Sequence, residues 1–135
     1  MKIDFIKKYK GICDITKDDA NILANKVFKN LQCNTENITI ELLLVEKNKI
    51  REINEKFRKV KRETDVLSFP QKTIENSPEK NIGSVIISPE VAKETNQRCG
   101  DLFVHGLLHL LGYDHEKDKS RWENAEERVS KNELQ

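Results

Sequence analysis

The sequence predicts an α+β fold in which one small mixed β-sheet is packed with helices, in a single domain over residues 1–135. Three observations predict it. Apolar and polar residues alternate over 37–46, as in a strand with one buried face. Apolar residues recur at helical spacing over 17–31, which indicates an amphipathic helix. Strand and helix patterns then continue without repeats or a linker, and this mixture favours a sheet layered with helices.

The first half of the chain is predicted to form two strands and two helices in alternation. Residues 2–6 are a short strand, and Thr16 caps the helix over 17–31. The strand over 37–46 follows, and a second helix covers 48–57. The apolar stripe of the first helix consists of Ala20, Leu23, Ala24, Val27 and Phe28.

The second half begins with strands and ends with helices. Residues 66–69 are predicted as a short strand, 71–81 as an exposed loop and 82–87 as a further strand. Ser88 and Pro89 are typical of a helix start, with serine as the cap and proline in the first turn.

Two longer helices complete the chain. Asp101 is predicted to cap a helix that ends near Leu111 and whose leucines belong to the core. The last helix covers about 118–132 and is highly charged. Its buried edge is predicted to consist of Trp122, Ala125 and Val129.

All three histidines of the chain lie within residues 105–115. His105 and His109 are four residues apart, so a helix places both on one face, one turn apart. Gly112 permits the left-handed conformation that ends a helix, and the turn then brings His115 to the same place. Three imidazoles fit one divalent transition metal, with zinc as the first choice, and leave a fourth position open. Nickel, cobalt and copper also bind such a site.

The H-x3-H-x5-H spacing is metzincin-like, because it matches the long zinc-protease motif, glycine included. One position differs: Gly106 stands where that motif carries its catalytic glutamate, and glycine cannot accept a proton. A peptidase would therefore need a base elsewhere, such as Asp114 or Glu116. For Asp114 we favour capping of the turn or orientation of a ligand histidine over direct metal binding.

Composition predicts a small cytoplasmic protein with no membrane span. No apolar run approaches the ~20 residues needed to cross a bilayer, and the N-terminus does not resemble a signal peptide. Cys13, Cys33 and Cys99 are odd in number and widely spaced, which argues against a disulfide framework. The formal net charge of +1 gives no global nucleic-acid signal. However, residues 56–62 contain five cations in seven positions, a run that can bind phosphates.

Three motifs together resemble the YbeY family of bacterial rRNA maturation factors. Residues 105–115 match the family pattern H-G-x-L-H-L-x-G-Y-D-H at every position. A second pattern, N-x-x-F/Y-R followed by T-D-V-L-S-F-P, is present at 54–58 and 64–70. A weaker third motif is the glycine-led apolar strand at 83–88, where the family usually carries aspartate at the position of Ser84.

The resemblance implies a zinc-dependent endoribonuclease that prefers single-stranded RNA and acts in rRNA maturation, at the 3′ end of 16S rRNA, and in ribosome quality control. The expected partners are rRNA and the small ribosomal subunit or a ribosomal protein. His105, His109 and His115 are the expected metal ligands and catalytic residues, with one Zn²⁺ per chain. Arg58 is the fourth expected catalytic residue, because its planar guanidinium can bind a phosphate and stabilise the charge of the transition state.

Two other classes of protein remain open from the residues alone. A metallopeptidase requires the base discussed above. A non-catalytic ribosome-assembly factor would carry a structural metal and dock through the basic run. A structural metal site is closed by a fourth protein ligand, so the number of ligands separates this class from a hydrolase with an open position.

Overall fold

The computed structural model describes residues 1–58, 64–71 and 80–131, and within these the side chains of Arg58 and Lys131 are not described. The elements in chain order are β1 (Lys2–Lys7), α1 (Lys17–Asn30), β2 (Ile38–Leu44), α2 (Lys47–Arg58), β3 (Val66–Pro70), β4 (Lys80–Ile87), α3 (Pro89–Glu94), α4 (Cys99–Leu110) and α5 (Lys119–Lys131).

The four strands form one mixed sheet in the order β1-β2-β4-β3. The β1–β2 and β2–β4 pairs are parallel, whereas β3 runs antiparallel to β4 and lies at the edge. The predicted α+β fold with one small mixed sheet is therefore confirmed. None of the helices in the described ranges is long and apolar enough to cross a membrane.

The two faces of the sheet are covered by different helices. One face carries the larger core, in which α1, α4 and α5 pack over side chains such as Leu42, Val85 and Ile87. The other face carries a smaller cluster in which Ile50 of α2 packs with Leu67 and neighbouring residues. The helix that contains two of the histidines therefore lies on the main core, against β3 and β4.

Local sequence patterns explain the helix starts that were predicted. The Thr16 hydroxyl accepts a hydrogen bond from the Asp19 N–H at 3.1 Å, and the Asp19 carboxylate accepts one from the Thr16 N–H at 3.0 Å. This reciprocal capping box satisfies two otherwise unpaired N–H groups at the start of α1. Ser88 caps α3 in a similar way, with its Oγ accepting from the Val91 N–H at 3.3 Å.

The prediction that Asp101 caps the histidine helix is wrong. Helix α4 already begins at Cys99, and Asp101 lies in its first turn, where it pairs with Arg98 at 3.2 Å. The cap comes from a distant segment, because the Cys99 N–H donates to Asp14 Oδ2 at 3.3 Å. A carboxylate is favourable at this position since helix N-termini carry partial positive charge.

The remaining boundaries differ from the predicted ones by a few residues. Strand β4 begins at Lys80, so the predicted loop over 71–81 ends earlier, and 72–79 lie outside the described residues. The last helix ends at Lys131 within the described range, and its predicted buried edge is confirmed. Trp122, Ala125 and Val129 are at most 6% exposed.

Candidate metal centre

The three histidines meet at one point, as their spacing predicted. One ring nitrogen from each of His105, His109 and His115 lies within 4.8 Å of the others. The Nε2 atoms of His105 and His109 are 3.2 Å apart. The first two side chains are half-buried and the third is exposed, so the group opens toward solvent. Three convergent imidazole nitrogens form a donor set that suits a divalent transition metal.

The turn after α4 delivers the third imidazole. Gly112 has φ +92°, a conformation that side chains other than glycine rarely adopt. Its N–H donates to His109 O at 3.0 Å, and the Tyr113 N–H donates to Leu108 O at 3.0 Å. These bonds satisfy carbonyls that the helix end would leave unpaired, and they fix the direction in which the chain reaches His115.

Gly106 packs so closely against the sheet that a side chain at this position would not fit. A Cβ atom at this position would lie 2.6 Å from Val85 Cγ1 and 3.1 Å from Ser68 Oγ. Helix α4 therefore contacts β3 and β4 at a distance that only glycine allows. A glutamate at this position would require the helix to move away from the sheet, which agrees with the absence of the peptidase base.

Trp122 is a site residue whose role the sequence did not indicate. Its ring centroid lies 4.9 Å from those of His105 and His109 and 5.2 Å from that of His115. The apolar stripe of α5 predicted that this residue is buried, but a stripe cannot show which side chains it meets. The indole therefore packs against all three candidate ligands.

The environment lowers the pKa of two of the imidazoles and so favours their neutral form. Burial is the main cause that lowers the pKa of His105, and the nearby His109 and His115 lower it further. Burial also lowers the pKa of His109, although the carboxylate of Asp114 opposes this change. A neutral imidazole has a free lone pair, which is the form that binds a metal.

Asp114 caps the turn, which is one of the two roles predicted for it. Its Oδ1 accepts from the Glu116 N–H at 2.9 Å and from the Lys117 N–H at 3.3 Å. The hydrogen bond from the Glu116 N–H is the main cause that lowers the pKa of Asp114.

Among His, Cys, Asp and Glu of the described ranges, only the three histidines form a group that could bind a metal. In this part of the chain, no fourth protein ligand closes the site.

A cleft of about 560 Å³ lies in front of the imidazoles, between the turn that follows α4 and edge strand β3. Ser68 lines one side, and Asp114, Glu116 and Lys117 line the other. Ser84, at the position where the family resembled by the sequence usually has aspartate, does not face this cleft. Ser84 lies on the opposite face of the sheet, where its hydroxyl donates to Glu41 Oε1 at 3.1 Å.

The structure does not test the prediction for Arg58. Its backbone forms the end of α2, but its side chain lies outside the described residues. Residues 59–62 of the basic run also lie outside them. Lys56 and Phe57 of the same run are described and exposed, and the ring of Phe57 lies edge-on to that of Phe69 with centroids 5.6 Å apart.

Known proteins are similar to this chain over most of its length. A protein family described as Endoribonuclease YbeY matches residues 5–132. An Endoribonuclease YbeY of Nautilia profundicola is 38% identical, covering 96% of this chain and 89% of its own. A second, from Helicobacter pylori strain Shi470, is 45% identical, covering 69% of this chain and 70% of its own.

A solved structure shares the fold. The solution structure of TM1509 from Thermotoga maritima is 27% identical, with a TM-score of 0.51, and the match covers 94% of this chain and 88% of that one. With a family match across nearly the whole chain and relatives of this identity, the chain belongs to the YbeY endoribonuclease family.

Proposed function

We propose that the protein is a zinc-dependent endoribonuclease that cleaves single-stranded RNA during rRNA maturation, at the 3′ end of 16S rRNA, and during ribosome quality control. The observation that carries the proposal is the convergence of three imidazole nitrogens within 4.8 Å at a cleft that opens to solvent. Family membership supports RNA as the substrate. The cytoplasm is the proposed location, and the small ribosomal subunit or one of its proteins is the proposed partner.

His105, His109 and His115 would hold the metal. When bound, a divalent metal supplies a Lewis acid that polarises a phosphoryl oxygen and lowers the pKa of a water molecule. Burial lowers the pKa of His105 and of His109, which favours the neutral imidazole that can bind a metal. The cleft of about 560 Å³ leaves room for a phosphodiester in front of them.

Arg58 and Lys117 would bind the phosphate. Lys117 lines the cleft, and Arg58 is the last residue of α2, which precedes β3 in the chain. A guanidinium provides two parallel N–H donors that match phosphate oxygens. Phosphoryl transfer depends mainly on positioning and charge stabilisation, so the reaction does not need the glutamate that Gly106 replaces.

The first experiment compares cleavage of a single-stranded RNA by the wild type and by His109→Ala, purified in the same way. The variant controls for contaminating ribonucleases, and circular dichroism verifies that it is folded. We expect cleavage by the wild type only. A matched duplex RNA tests the strand preference, and metal analysis of the active protein identifies the ion. Equal cleavage by both proteins, or none by either, would contradict the proposal and favour a factor that docks on the ribosome without chemistry.

The role of Arg58 needs a separate comparison. We expect Arg58→Ala to lower kcat by about 10²–10³-fold, the usual effect of removing one group that stabilises transition-state charge. Arg51→Ala is the matched control, because Arg51 is an exposed arginine two turns earlier in α2. Unchanged kcat in a folded Arg58→Ala protein would exclude this role.

A further inference from the structure

Trp122 belongs to the main core and also packs against the three histidines. It is the single tryptophan of the chain, and its side chain is only 5% exposed. Its ring lies edge-on to His105 and is tilted against His109 and His115, at centroid distances of 4.9 Å, 4.9 Å and 5.2 Å. One rigid side chain thus contacts every candidate ligand of the metal centre.

The three imidazoles also contact one another, and the Nε2 atoms of His105 and His109 lie 3.2 Å apart. Their mutual centroid distances are 4.8 Å for His105–His109 and 5.6 Å for each of the other two pairs. Each ring can rotate about its side-chain bonds, and restricting such rotation costs conformational entropy. A planar indole in contact with all three restricts them together, before a metal contributes any binding energy.

The indole lies behind the ligands, seen from the cleft. The cleft is lined by His105, His109 and His115, and Trp122 is not among its lining residues. The indole therefore leaves the open side of the group free for substrate. On its own side, it keeps water away from the rings, because it is large, apolar and buried.

Helix α5 is hydrogen-bonded directly to the turn that follows α4, and this fixes where the indole lies. The Asp118 N–H donates to Asp114 O at 2.9 Å, and the Trp122 N–H donates to Asp118 O at 3.1 Å. Arg121 adds a hydrogen bond from Nη1 to Gly112 O at 3.2 Å. The turn that carries the third histidine and the helix that carries the indole thus form one hydrogen-bonded unit.

We propose that Trp122 is a positioning residue of the metal centre, whose indole holds the three imidazoles in the orientations in which their nitrogens converge. The inference rests on the proposed metal-dependent function. Loss of the indole is expected to weaken metal binding by roughly 10–100-fold, the range seen when groups that orient metal ligands are removed. Because Trp122 is also part of the main core, circular dichroism first verifies that each Trp122 variant is folded.

The test measures metal affinity, not activity. Zn²⁺ and Co²⁺ dissociation constants are measured by competition with a chromophoric chelator for the wild type, Trp122→Phe and Trp122→Leu. Phenylalanine keeps an aromatic plane and leucine keeps only an apolar side chain. We expect Trp122→Phe to bind within a few-fold of the wild type and Trp122→Leu to bind at least 10-fold more weakly. The Co²⁺ absorption spectrum, which reports ligand geometry, should change in the leucine variant.

A control separates positioning from general loss of packing. Val129→Ala removes a buried side chain two turns further along α5. It should lower stability without changing the dissociation constant at a temperature where the protein is folded. Equal affinities for the wild type and Trp122→Leu would overturn the inference while leaving the metal centre intact. A wild type that binds neither ion, and whose single tryptophan shows no fluorescence change on titration, would overturn the proposed function as well.

Discussion

Gly106 lies next to His105 in sequence but on the side of α4 that contacts the sheet. Its Cα hydrogen occupies a space in which a Cβ atom would be 2.6 Å and 2.9 Å from the two methyl carbons of Val85. Val85 is fully buried in β4, so it has no free volume into which to move. The same residue that excludes a peptidase base therefore also sets the distance between α4 and the sheet.

We expect Gly106→Ala to destabilise the protein. Overpacking in a filled core costs about 1–3 kcal/mol, whereas alanine gains about 1 kcal/mol over glycine in a helix. The expected net loss in the free energy of unfolding is up to about 2 kcal/mol, measured by urea denaturation. Gly100→Ala is the matched control, because its Cβ would meet only the flexible tip of Leu23 at 3.2 Å. Equal effects of the two substitutions would contradict this explanation.

The Cys99 thiol gives a prediction for pH. Burial, followed by the hydrogen bond between the thiol and the Asp14 side chain, raises its pKa from 9.0 to about 12. In the unfolded chain the thiol loses its proton near pH 9, while the folded protein retains it. The free energy of unfolding should therefore fall as pH rises from about 9 to about 12. The fall should be smaller in Cys99→Ala, measured by urea denaturation at several pH values.

Thiol labelling provides an independent measurement on the same residue. The thiolate is the reactive form of cysteine, so a buried protonated thiol reacts slowly. At pH 8 we expect Cys99 to react with a disulfide reagent more slowly than the half-buried Cys13 and Cys33. Labelling of all three at one rate in the folded protein would show that Cys99 is accessible.

At the scale of elements, the candidate metal centre is formed by α4, the turn that follows it and α5. Arg121 connects two of these, since it donates to Gly112 O and its guanidinium lies 4.2 Å from the centre of the Tyr113 ring. An exposed cation–π contact contributes about 0.5–1 kcal/mol. Both contacts act on the turn that carries His115, so α5 stabilises the turn from its outer side.

Arg121→Ala should therefore loosen the turn more than it destabilises the whole protein. We expect a loss of about 1 kcal/mol in global stability, from the cation–π contact and an exposed hydrogen bond. Hydrogen exchange should accelerate at the Tyr113 amide, which donates to Leu108 O. Arg128→Ala, an exposed arginine on the same helix, is the control. Equal exchange rates in both variants would exclude a specific role for Arg121.

Sequence patterns identified the features that depend on neighbouring residues. The Thr16 cap and the closeness of His105 and His109 were both predicted. In each case the two groups are separated by about one turn of helix. The features that were missed depend on distant pairs. Asp14 replaces Asp101 as the cap of α4, and Trp122 meets the imidazoles, although neither contact has a local pattern. The strand order β1-β2-β4-β3 is equally non-local.

At the scale of the whole molecule, the candidate metal centre connects α5 with α4, the helix that packs on the sheet. The helix α4 packs on β3 and β4, and also on α1. By contrast, α5 lies over the imidazoles through Trp122 and contacts α1 at its far end, where the Asn30 side chain donates to Val129 O at 3.2 Å. A ligand that binds the three histidines would therefore stabilise the packing of α5 on the rest of the protein.

Metal binding should raise the midpoint of thermal unfolding for this reason. A ligand at 100 times its dissociation constant stabilises the folded state by about 2.7 kcal/mol, which corresponds to roughly 10 °C for a domain of this size. Calorimetry with Zn²⁺ and with a chelator measures the difference. His115→Ala should remove most of it, since two imidazoles on one helix bind a metal more weakly than three. If the variant keeps the full increase, the metal binds elsewhere, and the convergence of the three histidines is not what stabilises the fold.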